Sequence, residues 1–207
     1  MTTGAAERAI ERLHEGYVSS RRVRRLSAQL APLIPERAAV LDVGCGDGLL
    51  AALIVRQRPD ISLQGLDALV RPKTGIPVRY FDGRVIPYAP GSFDAVLLVD
   101  TLHHAEDPMA LLREAVRVTR RTLVIKDHTC EGIFAWQTLR FMDRVGNARH
   151  GVALPYTYWP KRKWLEAFAS LGLTLAEWRQ RLGLYPWPAN WVFERSLHFI
   201  ARLDVHR

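Results

Sequence analysis

The chain has 207 residues, 48% of them hydrophobic and 24% charged, with a formal net charge of +8. That length suits one large domain with an ample core, and the composition excludes a disordered or fibrous chain. No apolar run approaches the ~18 residues of a membrane span, the N-terminus "MTTGAAERAIERLHEGY" lacks a signal-peptide layout, and Cys45 and Cys130 are too few for a disulfide framework or a structural zinc site.

These features point to a cytoplasmic protein. In chain order, residues 5 to 34 read as two helical pieces. Ile10, Leu13 and Tyr17 form one apolar stripe, and Val23, Leu26, Leu30 and Leu33 form another, with Ser20 as an N-cap. Arg21, Arg22, Arg24 and Arg25 make the one dense basic cluster. The other arginines are scattered, which is a weak footprint for nucleic acid.

A strand, "AAVLDVG", leads into a glycine loop and a helix from 48 to 58. "ISLQGLD" and "PVRYFDG" are two further strands, joined by a link too short for a full crossover helix. "FDAVLLVD" is nearly all apolar, as a strand covered on both faces of a parallel sheet should be. Asp107 and Pro108 mark the start of a helix through Leu111, Leu112, Ala115 and Val116. "TLVIKDH" is a fifth strand, and residues 129 to 160 read as irregular and aromatic. "KRKWLEAFASLG" is a helix closed by Gly172, and two last strands, "LTLAEWRQRLGLY" and "ERSLHFIARL", form a hairpin-like pair at one sheet edge. Strands alternating with helices predict a doubly wound α/β sheet.

The loop in "VLDVGCGDGLL" carries the first functional signal. Gly44, Gly46 and Gly48 let the backbone turn sharply at a strand end and approach a ligand closely. There is no GxxxxGK[ST] pattern for a triphosphate, and Leu49 stands where a dinucleotide fingerprint has its third glycine. Asp42, inside the strand, would disfavour a pyrophosphate and suit a cationic ligand. Asp67 ends the second strand, where a carboxylate can take both ribose hydroxyls, and Asp82 with Gly83 ends the third, within reach of an adenine.

With these residues in order, the chain resembles the class I S-adenosylmethionine-dependent methyltransferases, especially the small-molecule branch similar to the ubiquinone/menaquinone-biosynthesis enzymes. "LDVGCGDG", "GLD", "FDG" and "FDAVLLVDTLHH" carry the resemblance over residues 38 to 126 and the final strand pair. It implies a mostly parallel, seven-stranded Rossmann-like sheet with an antiparallel C-terminal edge strand and an N-terminal helical cap. S-adenosyl-L-methionine would be the cofactor and a small molecule the acceptor. Gly44, Gly46 and Gly48 would line its methionine and ribose, Asp42 its ammonium, Asp67 its ribose and Asp82 its adenine. Asp100, Leu102 and His103 would flank the cofactor and face the substrate.

Organisation follows as residues 1–36, a helical segment, and 37–207, the methyltransferase domain, with 129–160 as a lid or substrate wall. The sulfonium methyl is already electrophilic, so alignment and water exclusion dominate, with a base for a hydroxyl or carbon acceptor. His128 is the preferred acid/base, oriented by Asp127, with His150 as a rival. Tyr17, Arg21, Tyr156 and Tyr158 are candidate substrate residues. His103, His104, Asp107, Asp127 and His128 match no metal-ligand spacing, so no metal is expected. An RNA methyltransferase, using the arginines of 21–25, and a non-catalytic cofactor-binding partner are the other readings.

Overall fold

A computed structural model describes residues 19–147 and 155–206. The first helix, α1, is described from Ser19 to Leu30, so Ser20 lies within it rather than capping it. A 3-10 turn at Ala31–Leu33 follows. Arg58 clamps this turn by donating to the carbonyls of Ala31, Ile34 and Pro35 while pairing with Asp60.

The strands are β1 (Ala39–Val43), β2 (Ser62–Asp67), β3 (Val78–Tyr80), β4 (Phe93–Val99), β5 (Thr119–His128), β6 (Thr174–Arg179) and β7 (His198–Asp204). They form one seven-stranded sheet in the order β3-β2-β1-β4-β5-β7-β6. The first five are mutually parallel, and β7 is antiparallel to both β5 and β6. β7 thus lies one place in from the edge, which β6 occupies. The link between β2 and β3 holds no helix.

The remaining helices are α2 (Leu49–Gln57), α3 (Pro108–Val118), α4 (Ala135–Asn147), α5 (Lys161–Ser170) and the one-turn α6 (Asn190–Phe193). Asp107 caps α3, its Oδ1 accepting from Ala110 N at 3.0 Å, with Pro108 at the first helical position. Such a cap contributes about 1 kcal/mol. α4 departs from the irregular stretch expected there. Its inward residues Ala135, Leu139 and Met142 repeat at helical spacing, a pattern hidden among interleaved aromatics and arginines.

Two cores sandwich the sheet. Val40, Ala95, Leu97, Val124 and Ile200 pack under α1 and α2 with Leu26, Leu30, Ala51 and Ile54. Leu41, Val96, Leu98, Leu123 and Ile125 pack under α3 and α5 with Leu112, Ala115, Trp164 and Phe168. This alternation along each strand is the pleat at work, since successive side chains point to opposite faces. Each fully buried large side chain contributes about 1.5–3 kcal/mol. Trp164 also donates from Nε1 to the carbonyl of His128 at 3.0 Å, which fixes α5 against the carboxyl end of β5. No helix among the described residues is long and apolar enough to cross a membrane.

Candidate active site at the carboxyl edge of the sheet

The loop after β1 takes three left-handed turns in quick succession, at Gly44 (φ 76), Gly46 (φ 60) and Gly48 (φ 72). The glycines are there for different reasons. A Cβ on Gly44 would fall 2.5 Å from the Thr101 side chain, whose hydroxyl donates to Val43 O. A Cβ on Gly48 would fall 2.6 Å from Ile76. A Cβ on Gly46 would meet nothing within 4 Å, so of the three loop glycines it is the one that fronts open space.

Asp67 at the end of β2 grips that loop. Its Oδ2 accepts from Gly46 N at 2.7 Å and its Oδ1 from Leu69 N at 2.7 Å. Asp42 stands one residue from the end of β1, only 2% exposed, and its Oδ1 has no hydrogen-bond partner. Burial, and then the charge of Asp67, push its carboxyl up to about 7. A buried carboxyl oxygen without a donor favours the neutral acid, and a positive charge beside it would favour the ionised form. Asp82 follows β3 on the surface, its Oδ1 accepting from Arg84 N and Val85 N, beside the left-handed and unobstructed Gly83.

Beyond β4 the polar groups become dense. Asp100 sits just past the strand in the left-handed region (φ 54), a conformation that Asp tolerates better than most residues and that recurs at functional sites. Its carboxylate is paired with Lys126 from β5 and with Arg22 from α1. Burial opposes ionisation of Asp100, but the two cations outweigh it and hold the carboxyl well below its usual range. Lys126 itself is fully buried, and that burial lowers its pKa against the pull of Asp100. His198 on β7, opposite His128 in the ladder, places Nδ1 3.4 Å from Lys126 Nζ while its Nε2 lies 3.0 Å from Phe193 O.

A second cluster adjoins the first. His103 Nδ1 is 2.6 Å from Asp127 Oδ1, and Asp127 Oδ2 accepts from Leu102 N at 3.2 Å. On the other side of the ring, His103 Nε2 is 3.5 Å from Asp143 Oδ2 on α4, which also accepts from the Tyr158 hydroxyl. Burial works against a charge on His103, but Asp127 and then Asp143 raise its pKa to about 10. His128 is 3% exposed, with Nε2 3.5 Å from Asp100 Oδ1 and 3.9 Å from Asp143 Oδ1. Its burial, with Lys126 and His103 nearby, holds it neutral well below the usual histidine range.

Several sequence expectations need correction here. Asp127 does not orient the His128 ring. The two are neighbours on one strand, so the pleat sends their side chains to opposite faces, and Asp127 spends its carboxylate on His103 and on backbone amides, including His128 N at 2.7 Å. Leu102 has its side chain buried in the core, so only its backbone borders the site. Arg21 donates to Gly183 O at 3.4 Å, and it is Arg22 that reaches the cluster. Tyr158 borders the cluster, whereas Tyr156 lies against Arg140, whose guanidinium carbon is 5.1 Å from the ring centroid. Tyr17 and His150 lie outside the described residues. Arg22, Asp143 and His198 were not singled out as site residues, because each comes from an element remote in sequence from the strand motifs. The histidines that matched no metal spacing in sequence are gathered in space, His103 with His104 and Asp143, and His103 with Asp100 and His128.

Residues 41–125 match the family model described as a methyltransferase domain. The 27-O-demethylrifamycin SV methyltransferase of Amycolatopsis mediterranei is 30% identical over 131 residues, 53% of this chain and 48% of that protein. The ubiquinone biosynthesis O-methyltransferase of Photorhabdus laumondii is 32% identical over 93 residues, 39% of this chain and 38% of that protein. The chain thus spans less than half the length of these relatives. Among solved structures, a methyltransferase bound to the Haloferax volcanii Trm112 activator superposes with a TM-score of 0.67 at 17% identity, covering 95% of this chain and 97% of that one. The [4+2]-cyclase SpnF superposes with a TM-score of 0.62 at 16% identity, covering 87% and 80%. At such identities the likeness concerns the fold alone.

Proposed function

We propose that the chain transfers a methyl group from S-adenosylmethionine to a small-molecule acceptor, a reading supported by the match of residues 41–125 to the methyltransferase-domain model and by the similarity to the rifamycin and ubiquinone-biosynthesis methyltransferases. The observation that carries this reading is the buried Asp42 carboxylate with its unpartnered Oδ1, beside the one loop glycine, Gly46, that fronts open space. A ligand with a cationic head and a compact body fits there. A dinucleotide pyrophosphate would meet that carboxylate with like charge.

When bound, the cofactor supplies a sulfonium methyl that is electrophilic without further activation. Asp42 would take its ammonium, Gly46 would give its backbone room, Asp67 would reach the ribose while holding Gly46 N, and Asp82 would border the adenine. Asp100, paired with Lys126 and Arg22, would make a charged wall past β4 beside the cofactor. α4 and Tyr158 close the acceptor side as a substrate wall and help to exclude water. His128, held neutral by its burial, is the group proposed to accept a proton from a hydroxyl acceptor.

The state of the arginine row supports a small molecule over RNA. Arg22 is ion-paired with Asp100 and Arg21 is bonded to Gly183 O, which leaves Arg24 and Arg25 as the exposed pair. Two charges make a poor phosphate track.

Calorimetry with S-adenosylhomocysteine tests the cofactor half of the proposal. Binding by the full chain, weakened by about 1.5–3 kcal/mol in Asp67→Ala, the scale of a charge-assisted contact, is expected. Absence of binding at high micromolar ligand would sink it. The acceptor half is tested by following labelled methyl into separate small-molecule and RNA pools. Label in the RNA alone would overturn the small-molecule reading.

A further inference from the structure

The histidines gathered where β4, β5 and α4 meet have a use that proton transfer does not exhaust. His103, His104 and Asp143 each bring one donor atom to a common point, with these atoms all within 4.8 Å of one another. His103, Asp100 and His128 do the same on the adjoining side. Three imidazole nitrogens in this small volume are buried and make no hydrogen bond: His103 Nε2, His104 Nδ1 and His128 Nδ1. Orphaned ring nitrogens in a dry site are uncommon, because each forfeits its solvation without return.

His103 shows the arrangement most clearly. Its side chain is 1% exposed, and the Asp127 carboxylate at Nδ1 fixes the ring and turns Nε2 toward Asp143 Oδ2, 3.5 Å away, where a bound metal ion would take the place of the Nε2 proton. A carboxylate behind a histidine that presents its far nitrogen is the outer-shell pattern of metal-ligating imidazoles. The spacing also suits an ion. Two ligand atoms at about 2.0–2.2 Å from one tetrahedral centre stand roughly 3.3–3.5 Å apart, which matches the gap between His103 Nε2 and Asp143 Oδ2.

We propose that His103, His104 and the Asp143 carboxylate hold a divalent transition-metal ion, of the borderline class that two imidazoles and one carboxylate select, such as Zn²⁺ or Co²⁺. The adjoining trio is the poorer choice because Asp100 is already neutralised by Lys126 and Arg22. Those cations would also oppose a further positive charge beside it. The ion ties α4, which carries Asp143, to the 3-10 turn Leu102–His104 after β4. It thereby joins the proposed acceptor wall to the sheet. Sequence spacing hides this site because Asp143 comes from a helix far along the chain and His103 and His104 are adjacent in the turn.

The test uses the full chain, freed of any affinity tag and stripped with a chelator. The chain is then exposed to Zn²⁺ or Co²⁺, desalted, and assayed for retained metal by mass spectrometry. The proposal expects about one ion per chain, a ligand-field absorption band with Co²⁺, and a higher Tm with Zn²⁺, since an ion that binds only the folded state stabilises it. His104→Ala, at a half-buried position, should fold yet lose all three signatures, and His103→Gln should do the same. His206→Ala, at an exposed histidine remote from the cluster, should retain them. Absence of stoichiometric metal in the wild type, or equal retention in His104→Ala, would overturn the site and leave His103 as an imidazolium between two carboxylates. Metal content is read without cofactor or turnover, so this outcome is independent of the methyl-transfer proposal.

Discussion

Asp127 Oδ1 lies 2.6 Å from His103 Nδ1, both side chains 1% exposed. This pair pins the turn after β4 to the end of β5 in an environment where neither partner can turn to water. Breaking a buried pair by neutralising one member costs about 3–5 kcal/mol, mostly as the other group's lost compensation. Asp127→Asn should therefore lower Tm by roughly 2–4 °C per kcal/mol for a domain of this size, although it preserves shape. A melting point within one degree of wild type would mean the pair carries no net stabilisation.

Asp42 gives the chain a pH dependence of its own. Its folded pKa, about 7, is raised above that of an unfolded aspartate. The stabilisation this represents is complete below ~4, the ordinary aspartate value, and is lost as pH rises through about 7. In ligand-free protein, urea titrations should show stability falling across that window, with Asp42→Asn flat. A cationic ligand takes the ionised form, so S-adenosylhomocysteine should bind severalfold more weakly at pH 6 than at pH 7.5 and release a proton at the lower pH. Calorimetry in buffers of different ionisation enthalpy reads that proton directly. No proton release would remove Asp42 from the ammonium site.

The loop glycines separate packing from binding. Gly44→Ala drives a Cβ to 2.5 Å from Thr101 at a φ of +76, so strain and overpacking together should cost about 2–5 kcal/mol. Gly46→Ala meets no protein atom. It should cost only about 1 kcal/mol of backbone strain but reduce cofactor affinity at least tenfold by entering the ligand's space. Denaturation and binding measured on both variants give the comparison, and a Gly46→Ala protein with normal affinity would show that the ligand lies elsewhere.

His128→Ala should leave cofactor affinity intact and cut kcat by about 10²–10⁴-fold, the usual scale for loss of a general base. Single-turnover rates with a defined acceptor, once one is found, would separate chemistry from binding. Unchanged turnover would assign the reaction to alignment alone.

What the sequence determined by itself is the framework. Apolar runs such as "FDAVLLVD", the turn signals between them, and the Asp107–Pro108 start of α3 are local rules, and they gave the alternating strands and helices of a doubly wound sheet, while the order β3-β2-β1-β4-β5-β7-β6 came only with the structure. The positions of the glycine loop, Asp42, Asp67 and Asp82 at or beside strand ends were legible for the same reason, while the ligand roles proposed for them rest on the family resemblance. Tertiary structure alone decided who partners whom. Asp127 and His128 are adjacent in sequence yet separated by the pleat, while Asp127 and His103 meet because parallel strands β4 and β5 end side by side. Asp143 and His198 arrive from α4 and β7, and no local spacing announces them, while the basic cluster holding Arg22 gave no sign of its pairing with Asp100. The helix α4 was hidden because its buried stripe is narrow and its outer face carries aromatics and arginines. Backbone periodicity is written in near neighbours, whereas a buried polar cluster is assembled from side chains distant along the chain, and only their packing brings them within a few ångströms.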